Sequence, residues 1–229
     1  SHQGIRWSYR QLGEAVDAFA AGLLALNLEP GDRIGIWSPN NVEWVITQFA
    51  TAKAGLILVN INPAYRKGEL SYTLKKVDCK ALILAREFKT SNYVGILREI
   101  APTIDVSESG KLNLTELPEL RSLIVISDDA VDGMFRFTDI ADMAPANASE
   151  QLAAVALVSR PDDAINIQFT SGTTGLPKGA TLTHFNVLNN GYFVGQTMNF
   201  TEHDRLCIPV PLYHCFGMVM SVLTCVLHG

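Results

Sequence analysis

Short apolar, strand-like runs alternate with helical patterns along most of this chain, and this alternation constrains the fold more than any other feature. The strand-like runs lie at residues 33–37, 56–60, 80–85, 122–127 and 164–170, and helical patterns lie between several of them at about 67–77, 91–100 and 149–159. Strands joined through helices favour a parallel sheet. The sequence therefore predicts an α/β fold with mostly parallel strands. With 229 residues, 48% of them hydrophobic, the chain can bury a substantial core as one domain or two closely joined subdomains.

The first two helices have clear start signals. Ser8 and Gln11 have the spacing of a capping box, which predicts a helix beginning at the next residue. A second helix is expected to begin after residues 39–41 and to end near Gly55. The apolar face predicted for the first helix consists of Leu12, Val16, Phe19, Ala20, Leu23 and Leu24.

Composition narrows the class of protein. The formal net charge is −5 and no run of Lys or Arg occurs, which argues against a nucleic-acid partner. The four cysteines have no C-x-x-C or metal-site spacing, so reduced thiols are expected, as in the cytoplasm or the mitochondrial matrix. The apolar residues 216–227 are too few to cross a bilayer and predict a buried helix. We expect a cytoplasmic, globular protein without a transmembrane segment; a matrix location, peripheral membrane association and homo-oligomers stay open.

Residues 170–179 read Thr-Ser-Gly-Thr-Thr-Gly-Leu-Pro-Lys-Gly, and no other stretch contains so many groups that suit a polyphosphate. Glycines allow positive φ and bring backbone N–H groups close to a ligand, hydroxyls add donors, and the lysine adds a mobile positive charge. A strand pattern precedes the loop, and residues 180–183 alternate like another strand. The residues expected to bind the phosphates of ATP are Thr170, Ser171, Gly172, Thr173, Thr174, Gly175, Leu176, Pro177, Lys178 and Gly179.

Two other interpretations of this loop are weaker. A Walker A loop ends in Gly-Lys-Ser/Thr, so that the lysine opens a helix and the hydroxyl reaches magnesium, whereas Lys178 lies between Pro177 and Gly179. A flexible Gly/Ser/Thr connector does not account for the stiff Pro-Lys-Gly ending between two strand patterns. The order of the residues therefore favours a built phosphate site.

The loop resembles the signature of the adenylate-forming superfamily, which includes acyl-CoA synthetases, luciferases and the adenylation domains of peptide synthetases. Three other stretches resemble the same family in the same order, so that the likeness covers nearly the whole chain. The segment from Asn62 to Arg66 and the segment around His214 are most similar to fatty-acid or medium-chain acyl-CoA synthetases. The three stretches are residues 7–12, residues 52–55 with 59–63, and residues 211–218.

The resemblance implies an acid–thiol ligase. Such enzymes join a carboxylic acid to the α-phosphate of ATP, release pyrophosphate, and pass the acyl group from AMP to coenzyme A. ATP and CoA are then substrates beside a carboxylic acid, most simply a fatty acid. Mg²⁺ is the implied metal, with ligand residues outside this sequence. The loop fits this chemistry because a triphosphate must be held in line for attack while the departing pyrophosphate is stabilised.

The resemblance also implies that the sequence is an incomplete N-terminal part of the large domain. Residues 1–229 would form a single truncated AMP-binding (adenylation) large domain, and the C-terminal small domain would be absent. No complete catalytic set is then expected here, and the polypeptide alone should be inactive. The family implies layered αβ subdomains, with the chain crossing into a second subdomain before the phosphate loop and returning near Arg205.

The candidate substrate pocket rests on the same resemblance and comprises His214, Phe216, Gly217 and Met218. By itself a lone histidine in an apolar segment is more often an ordinary core or surface residue, and the apolar pair Phe216 and Met218 would also fill a core. Elsewhere, His184 is expected to open a helix capped by Thr183.

Two further segments are expected at the surface. His203 should lie in a solvated loop, and residues 102–120 form an excursion without a strong period.

Two other functions also stay open: an amino-acid-activating or luciferase-like enzyme with the same loop, and a non-catalytic nucleotide-binding or interaction module.

Overall fold

The computed structural model describes residues 3–170 and 176–229. Its main element is a seven-stranded sheet with the strand order β7-β6-β3-β1-β2-β8-β9. All neighbours in this sheet are parallel except β8 and β9, and β4 pairs with β5 in a separate antiparallel hairpin. The strands are β1 (Arg33–Trp37), β2 (Ile57–Asn60), β3 (Ala81–Ala85), β4 (Glu87–Phe88), β5 (Ser91–Asn92), β6 (Ser122–Ile126), β7 (Phe135–Arg136), β8 (Ala164–Thr170) and β9 (Lys178–Thr183).

Helices connect most of the strands and cover both faces of the sheet. The α-helices are α1 (Tyr9–Leu23), α2 (Val42–Lys53), α3 (Lys67–Lys76), α4 (Tyr93–Ile100), α5 (Ala148–Val158), α6 (His184–Thr197), α7 (Cys215–Gly217) and α8 (Thr224–His228). A π-helical turn, Met218–Leu223, joins α7 to α8, and the three together are called the last helical segment. Short 3₁₀ turns occupy Leu24–Leu26, Ile104–Val106, Phe137–Asp139 and Ala141–Met143. In the described ranges, no helix is both long and apolar enough to cross a membrane.

The strand order fixes which helix covers which face. Crossovers between parallel strands are right-handed, so connections that run in opposite directions along the sheet lie on opposite faces. The connections through α2 and α5 run one way, and those through α3 and α4 run the other way. In agreement, α1, α2 and α5 contact one another, and α3 contacts α4. The sheet is therefore the middle layer of three.

Two hydrophobic clusters follow from this layering. Along β3, Ile83 belongs to the cluster under α1 and α2, whereas Leu82 and Leu84 belong to the cluster under α3 and α4. Successive side chains of a strand point to opposite faces, so both sets are buried only because both faces are covered. The α6 helix and the last helical segment join the first cluster through Val187 and Val219. The predicted α/β fold with a mostly parallel sheet is confirmed.

The start of α1 forms as the sequence predicts. The Ser8 Oγ accepts a hydrogen bond from the Gln11 backbone N–H, and the Gln11 Oε1 accepts one from the Ser8 backbone N–H. These two bonds satisfy donors that a helix leaves unpaired at its first turn. Four members of the predicted apolar face, Val16, Phe19, Ala20 and Leu23, are buried. The Phe19 ring stacks on Phe137 with 4.2 Å between the centroids.

Two expectations from the sequence are wrong. The expected crossing into a second subdomain before the phosphate loop does not occur, because β8 pairs with β2 in the same sheet as β1 and β3. Residues 102–120 are not merely a surface excursion. Five apolar side chains from this segment are buried in the cluster under α3 and α4: Ile104, Leu112, Leu114, Leu117 and Leu120. Their spacing follows irregular turns and gives no single period, so the sequence pattern did not reveal their burial.

Truncating one of these anchors should measurably destabilise the fold. We expect Leu117→Ala to lower the free energy of unfolding by about 2–5 kcal/mol, because the removed methyl groups leave a cavity in a packed core. Val106→Ala is the matched control on the same segment, since Val106 is 85% exposed, and should change it by less than about 0.5 kcal/mol. Urea unfolding of both variants measures the difference; equal losses would show that the segment is not anchored by its leucines.

The buried thiol of Cys79 reports on the integrity of the core. Burial raises the pKa of Cys79 to about 12, and its Sγ donates to the Ala81 carbonyl at 3.0 Å. The unfolded thiol ionises near its ordinary pKa of about 8.5, so between there and pH 12 only the unfolded chain loses this proton. The thiol's contribution to stability is therefore complete at neutral pH and declines as the pH rises through that window.

We expect iodoacetamide at pH 8 to modify the exposed Cys207 within minutes and to leave Cys79 unmodified in the native protein. Mass spectrometry of tryptic peptides measures both sites, and addition of urea should abolish the difference. Fast modification of Cys79 without denaturant would contradict the buried environment.

Candidate active site

The strand order leaves a cleft at the carboxyl edge of the sheet. The connection from β1 leads through α2 to β2 on one side, and the connection from β2 leads through α3 to β3 on the other side of β1. Loops that leave neighbouring strands towards opposite faces open a crevice, where α/β proteins commonly bind ligands. The cleft here measures about 870 Å³, and we call it the edge cleft. Its walls come from residues 39–40, 62–66, 88–91 and 209–213.

The lining of the edge cleft suits an anionic ligand with an apolar part. Arg66 and Lys89 supply positive charge, and the rest is mainly proline, Phe88 and small hydroxyl side chains. The Lys89 Nζ lies 5.2 Å from the centroid of the Phe88 ring. The volume is within the range of small-molecule sites. A smaller cavity of about 340 Å³ lies at the amino ends of β3 and β6, lined by residues 74–79 and 115–120, and is remote from this edge.

Two buried aromatic residues fix the wall that follows β2. Trp37 and Tyr93 are stacked with 3.8 Å between ring centroids and are fully buried. The Trp37 Nε1 donates to the Asn62 carbonyl at 3.2 Å, and the Tyr93 hydroxyl donates to the Pro63 carbonyl at 2.7 Å. Burial raises the pKa of Tyr93 to about 12, so the hydroxyl stays a donor at physiological pH. The backbone that leads to Arg66 is therefore held rigidly against the core.

The opposite wall, residues 209–213, is bound by the side chain of Asn40. The Asn40 Nδ2 donates to the Val210 carbonyl at 2.8 Å, and the Asn40 Oδ1 accepts from the Leu212 backbone N–H at 2.8 Å. The amide thereby pairs with two backbone groups as a neighbouring strand would. Tyr213, at the end of this wall, lines the cleft immediately before His214.

The predicted phosphate loop leaves β8 at the same edge. Because β8 is parallel to β2, its last residue Thr170 lies beside the end of β2, and β9 returns antiparallel with Thr170 opposite Lys178. Thr170, Leu176, Lys178 and Gly179 are exposed, and Pro177 is half-buried. The remaining predicted loop residues lie outside the described part of the chain: Ser171, Gly172, Thr173, Thr174 and Gly175. The structure thus brings the two ends of the loop to the edge that bears the cleft.

The predicted pocket residues divide into exposed and buried ones. His214 and Phe216 are exposed at the start of the last helical segment. The His214 Nδ1 accepts from the Phe216 backbone N–H at 3.1 Å, so the neutral ring carries its proton on Nε2, which can donate to a ligand. Gly217 packs against the preceding turn, where a Cβ would lie 2.4 Å from the Pro211 carbonyl oxygen. Only the backbone of this position can therefore contribute to a site.

Met218 lies in the core between the last helical segment and the sheet, and is 2% exposed. Its Sδ accepts from the Asn60 Nδ2 and the Gln168 Nε2, each at 2.9 Å. The Gln48 Nε2 also donates to the Met218 carbonyl at 3.3 Å. These amides belong to α2, β2 and β8, so they fix the helical segment that begins at His214 against the strands that end at the site.

Two histidines lie where the sequence places them. Thr183 caps α6, with its side chain accepting from the Asn186 backbone N–H, and His184 is the first residue of that helix. Burial lowers the pKa of His184. His203 is almost fully exposed in a loop, as expected. Neither residue lines the edge cleft.

Sequence reasoning missed the residues that build the cleft walls. Residues 39–41 give a helix-start signal, and Asn41 does cap α2, but nothing local shows that Asn40 bonds to a segment 170 residues later. Lys89 lies in a two-strand hairpin too short to detect by periodicity. The proline-rich composition at 209–211 was the available signal of an irregular wall.

Comparison with known proteins agrees with the fold and the motifs. The family model described as AMP-binding enzyme matches residues 1–229. The chain is 44% identical over 228 residues to a medium-chain acyl-CoA ligase, ACSF2, mitochondrial, of Danio rerio, covering 99% of this chain and 38% of that protein. It is 39% identical over 227 residues to the putative acyl-CoA synthetase YngI of Bacillus subtilis (strain 168), covering 99% and 41%.

Among solved structures, the apo form of MbtA from Mycobacterium smegmatis matches with a TM-score of 0.79 at 23% identity, covering 98% of this chain and 38% of that one. At this identity the likeness concerns the fold alone. The chain spans about 38% of the length of the ACSF2 relative. From the match of the family model to the whole sequence, this chain belongs to the AMP-binding enzyme family.

Proposed function

We propose that this chain is part of an AMP-forming acid–thiol ligase that converts a carboxylic acid to its CoA thioester. The observation that carries the proposal is the meeting of two features at one edge of the sheet: the ends of a glycine- and hydroxyl-rich loop with Lys178, and a cleft with two cations. The relatives named as medium-chain acyl-CoA ligases support a fatty acid as the substrate.

In the first step, a carboxylate oxygen of the acid bonds to the α-phosphorus of ATP. The bond from that phosphorus to the oxygen bridging the β-phosphate breaks, and pyrophosphate leaves with the electron pair. Lys178 and the donors of the loop offset the negative charge that accumulates on the departing phosphates. In the proposal, the Nε2–H of His214, which is left free because Nδ1 accepts from the Phe216 backbone, donates to an oxygen of the acid or of the α-phosphate and holds the two reactants together.

In the second step, the thiol of CoA attacks the acyl carbonyl carbon. The bond between that carbon and the phosphate oxygen of AMP breaks, the thiol proton passes to solvent or a base, and AMP leaves. CoA is a second anionic substrate, and cations that bind its phosphates would hold its thiol near the acyl-adenylate. In the proposal Arg66 and Lys89 of the edge cleft bind its phosphates, and the apolar lining accommodates its uncharged part.

The proposal includes further parts of such an enzyme. Residues 1–229 would contribute to the large domain, and a small domain would supply groups that this sequence does not contain. On α6, Phe185, Leu188 and Phe193 are exposed, an apolar surface that more of the large domain would cover.

Mg²⁺ would accompany ATP. No group of three metal-ligand side chains occurs in the described ranges, so none of these residues is given a role in a step through the ion.

The proposal extends to the compartment. All four cysteines are free thiols, as in a reducing compartment, and the ACSF2 relative is named as mitochondrial. We therefore propose the mitochondrial matrix ahead of the cytoplasm. Fractionation of cells that express the full-length protein tests this placement.

Pyrophosphate exchange by the full-length protein tests the function. We expect exchange of labelled pyrophosphate into ATP with fatty acids of medium length in a series from acetate to palmitate, with aryl and amino acids included. Exchange with amino acids alone would replace the acyl-CoA assignment with amino-acid activation. ATP binding without exchange for any acid would favour a non-catalytic nucleotide-binding module.

Lys178→Ala separates the two half-reactions. We expect it to slow acyl-adenylate formation by about 100- to 1,000-fold, as loss of one preorganised charged donor does. Transfer from preformed acyl-adenylate to CoA should slow by less than about tenfold, because the pyrophosphate has already left. Lys111→Ala is the control, since Lys111 is exposed and paired with its neighbour Glu108 at 2.8 Å. Equal losses in both half-reactions would indicate unfolding and contradict the role of Lys178.

Arg66→Ala and Lys89→Ala test the edge cleft. Each should raise the KM for CoA by about tenfold or more, since one charged hydrogen bond contributes about 1.5–3 kcal/mol. The KM for ATP in pyrophosphate exchange should stay within about twofold, because CoA is absent from that assay. Arg98→Ala is the control, with a guanidinium that pairs with Asp105 at 2.8 Å outside the cleft. A higher KM for ATP would reassign the cleft to the nucleotide of the first step.

A further inference from the structure

We infer that Asn40 is a positioning residue of the site, holding the segment that carries Tyr213 and His214 in its working geometry. The inference rests on the proposed function. From Met198 to His214 the chain is irregular and contains no helix or strand. Segments of this kind have no ladder of backbone hydrogen bonds, so their geometry depends on particular side-chain contacts.

Hydrogen bonds from distant parts of the chain reach residues 205–213 through one side chain. Within the described ranges these bonds are the two made by Asn40, to Val210 and to Leu212, whereas the bond from the His214 backbone N–H to the Pro211 carbonyl at 3.2 Å is local to the turn. Both are 2.8 Å long, a favourable distance for amide bonds. The Leu212 side chain is buried, so packing and hydrogen bonding act at the same point.

Asn40 is itself held in place. It lies between β1 and α2, and Pro39 before it restricts the backbone where the chain leaves the sheet. Asn40 thus links the end of β1 to Leu212, two residues before His214. The side chain of the next residue, Asn41, serves the helix instead, because its Oδ1 accepts from the Trp44 backbone N–H at 2.8 Å.

The other end of the segment is fixed separately. The His214 carbonyl accepts from the Met218 backbone N–H at 3.1 Å, and Met218 is bound to Asn60 and Gln168 in the core. His214 thus lies between an anchor on its carboxyl side and Asn40 on its amino side. Loss of the Asn40 anchor leaves the imidazole attached at one end only, and small displacements of a reacting group reduce rates strongly.

The test compares neighbouring asparagines in the full-length protein. We expect Asn40→Ala to lower kcat/KM for the acid in pyrophosphate exchange by about tenfold to a hundredfold, with the KM for ATP within about twofold of wild type. Asn41→Ala is the matched control: it removes the cap of α2 and should lower the melting temperature, yet leave kcat/KM for the acid within about twofold. Equal kinetic losses from both variants would overturn the inference.

A double-mutant cycle distinguishes positioning from a general structural effect. If Asn40 acts through His214, the variant with both Asn40→Ala and His214→Ala loses no more activity than His214→Ala alone. Additive losses would overturn the inference. Asn40→Asp, which keeps the shape and the acceptor but removes the donor to Val210, is the second variant in case Asn40→Ala does not fold. It should also lower kcat/KM, and wild-type kinetics in this variant would overturn the inference.

Hydrogen exchange gives a readout independent of activity. Peptides covering residues 205–214 should exchange faster in Asn40→Ala than in wild type, whereas Asn41→Ala should accelerate exchange at the start of α2. Unchanged exchange at 205–214 would overturn the inference whatever the kinetics. If instead the exchange result holds and the wild-type enzyme activates no acid, the proposed function fails while Asn40 keeps its role as an anchor.

Discussion

The order in which strands join the sheet, with β2 on one side of β1 and β3 on the other, is the constraint on which the rest of the structure depends. Because crossovers are right-handed, the connections before and after β2 are forced to opposite faces of the sheet. This places α2 under one face and α3 under the other. It also separates the loops that leave β1 and β2, so the edge cleft opens between them. The position of the cleft is thus a consequence of the order β3-β1-β2 and does not depend on which side chains line it.

Local signals were sufficient to predict most elements of the fold. The capping box at Ser8, the strand-like runs and the helix that follows Asn41 all reappear at nearly the predicted residues. Each depends on contacts within a few residues of chain or on a strong period. A strand after the loop was also visible in the alternation of residues 180–183, although its antiparallel pairing with β8 was not. The loop motif itself identified the family, because its residue order is specific in a way that composition is not.

The features that escaped prediction depend on contacts between distant parts of the chain. The leucines at 112, 114, 117 and 120 are buried because they meet α3 and α4, and their irregular spacing has no helical or strand period. The pairing of β8 with β2 crosses more than 100 residues, which no local pattern encodes. In the same way, the bonds from Asn40 to Val210 and Leu212 could not be read from the start signal of α2. Amino-acid patterns identify elements, but the walls of the site form only when those elements meet.

Polar groups taken from the core hold the irregular parts of the site in place. The side-chain amides of Asn60 and Gln168 donate to the Met218 sulfur. The Trp37 indole N–H and the Tyr93 hydroxyl donate to the loop after β2. Apolar side chains of similar size would fill the same space without fixing a direction, whereas a buried donor is costly unless its one partner is in place. The amides of Asn60 and Gln168 therefore set the direction in which Met218 enters the core. Because they lie on β2 and β8, next to the strand ends that border the cleft, their hydrogen bonds link the core directly to the geometry of the candidate site.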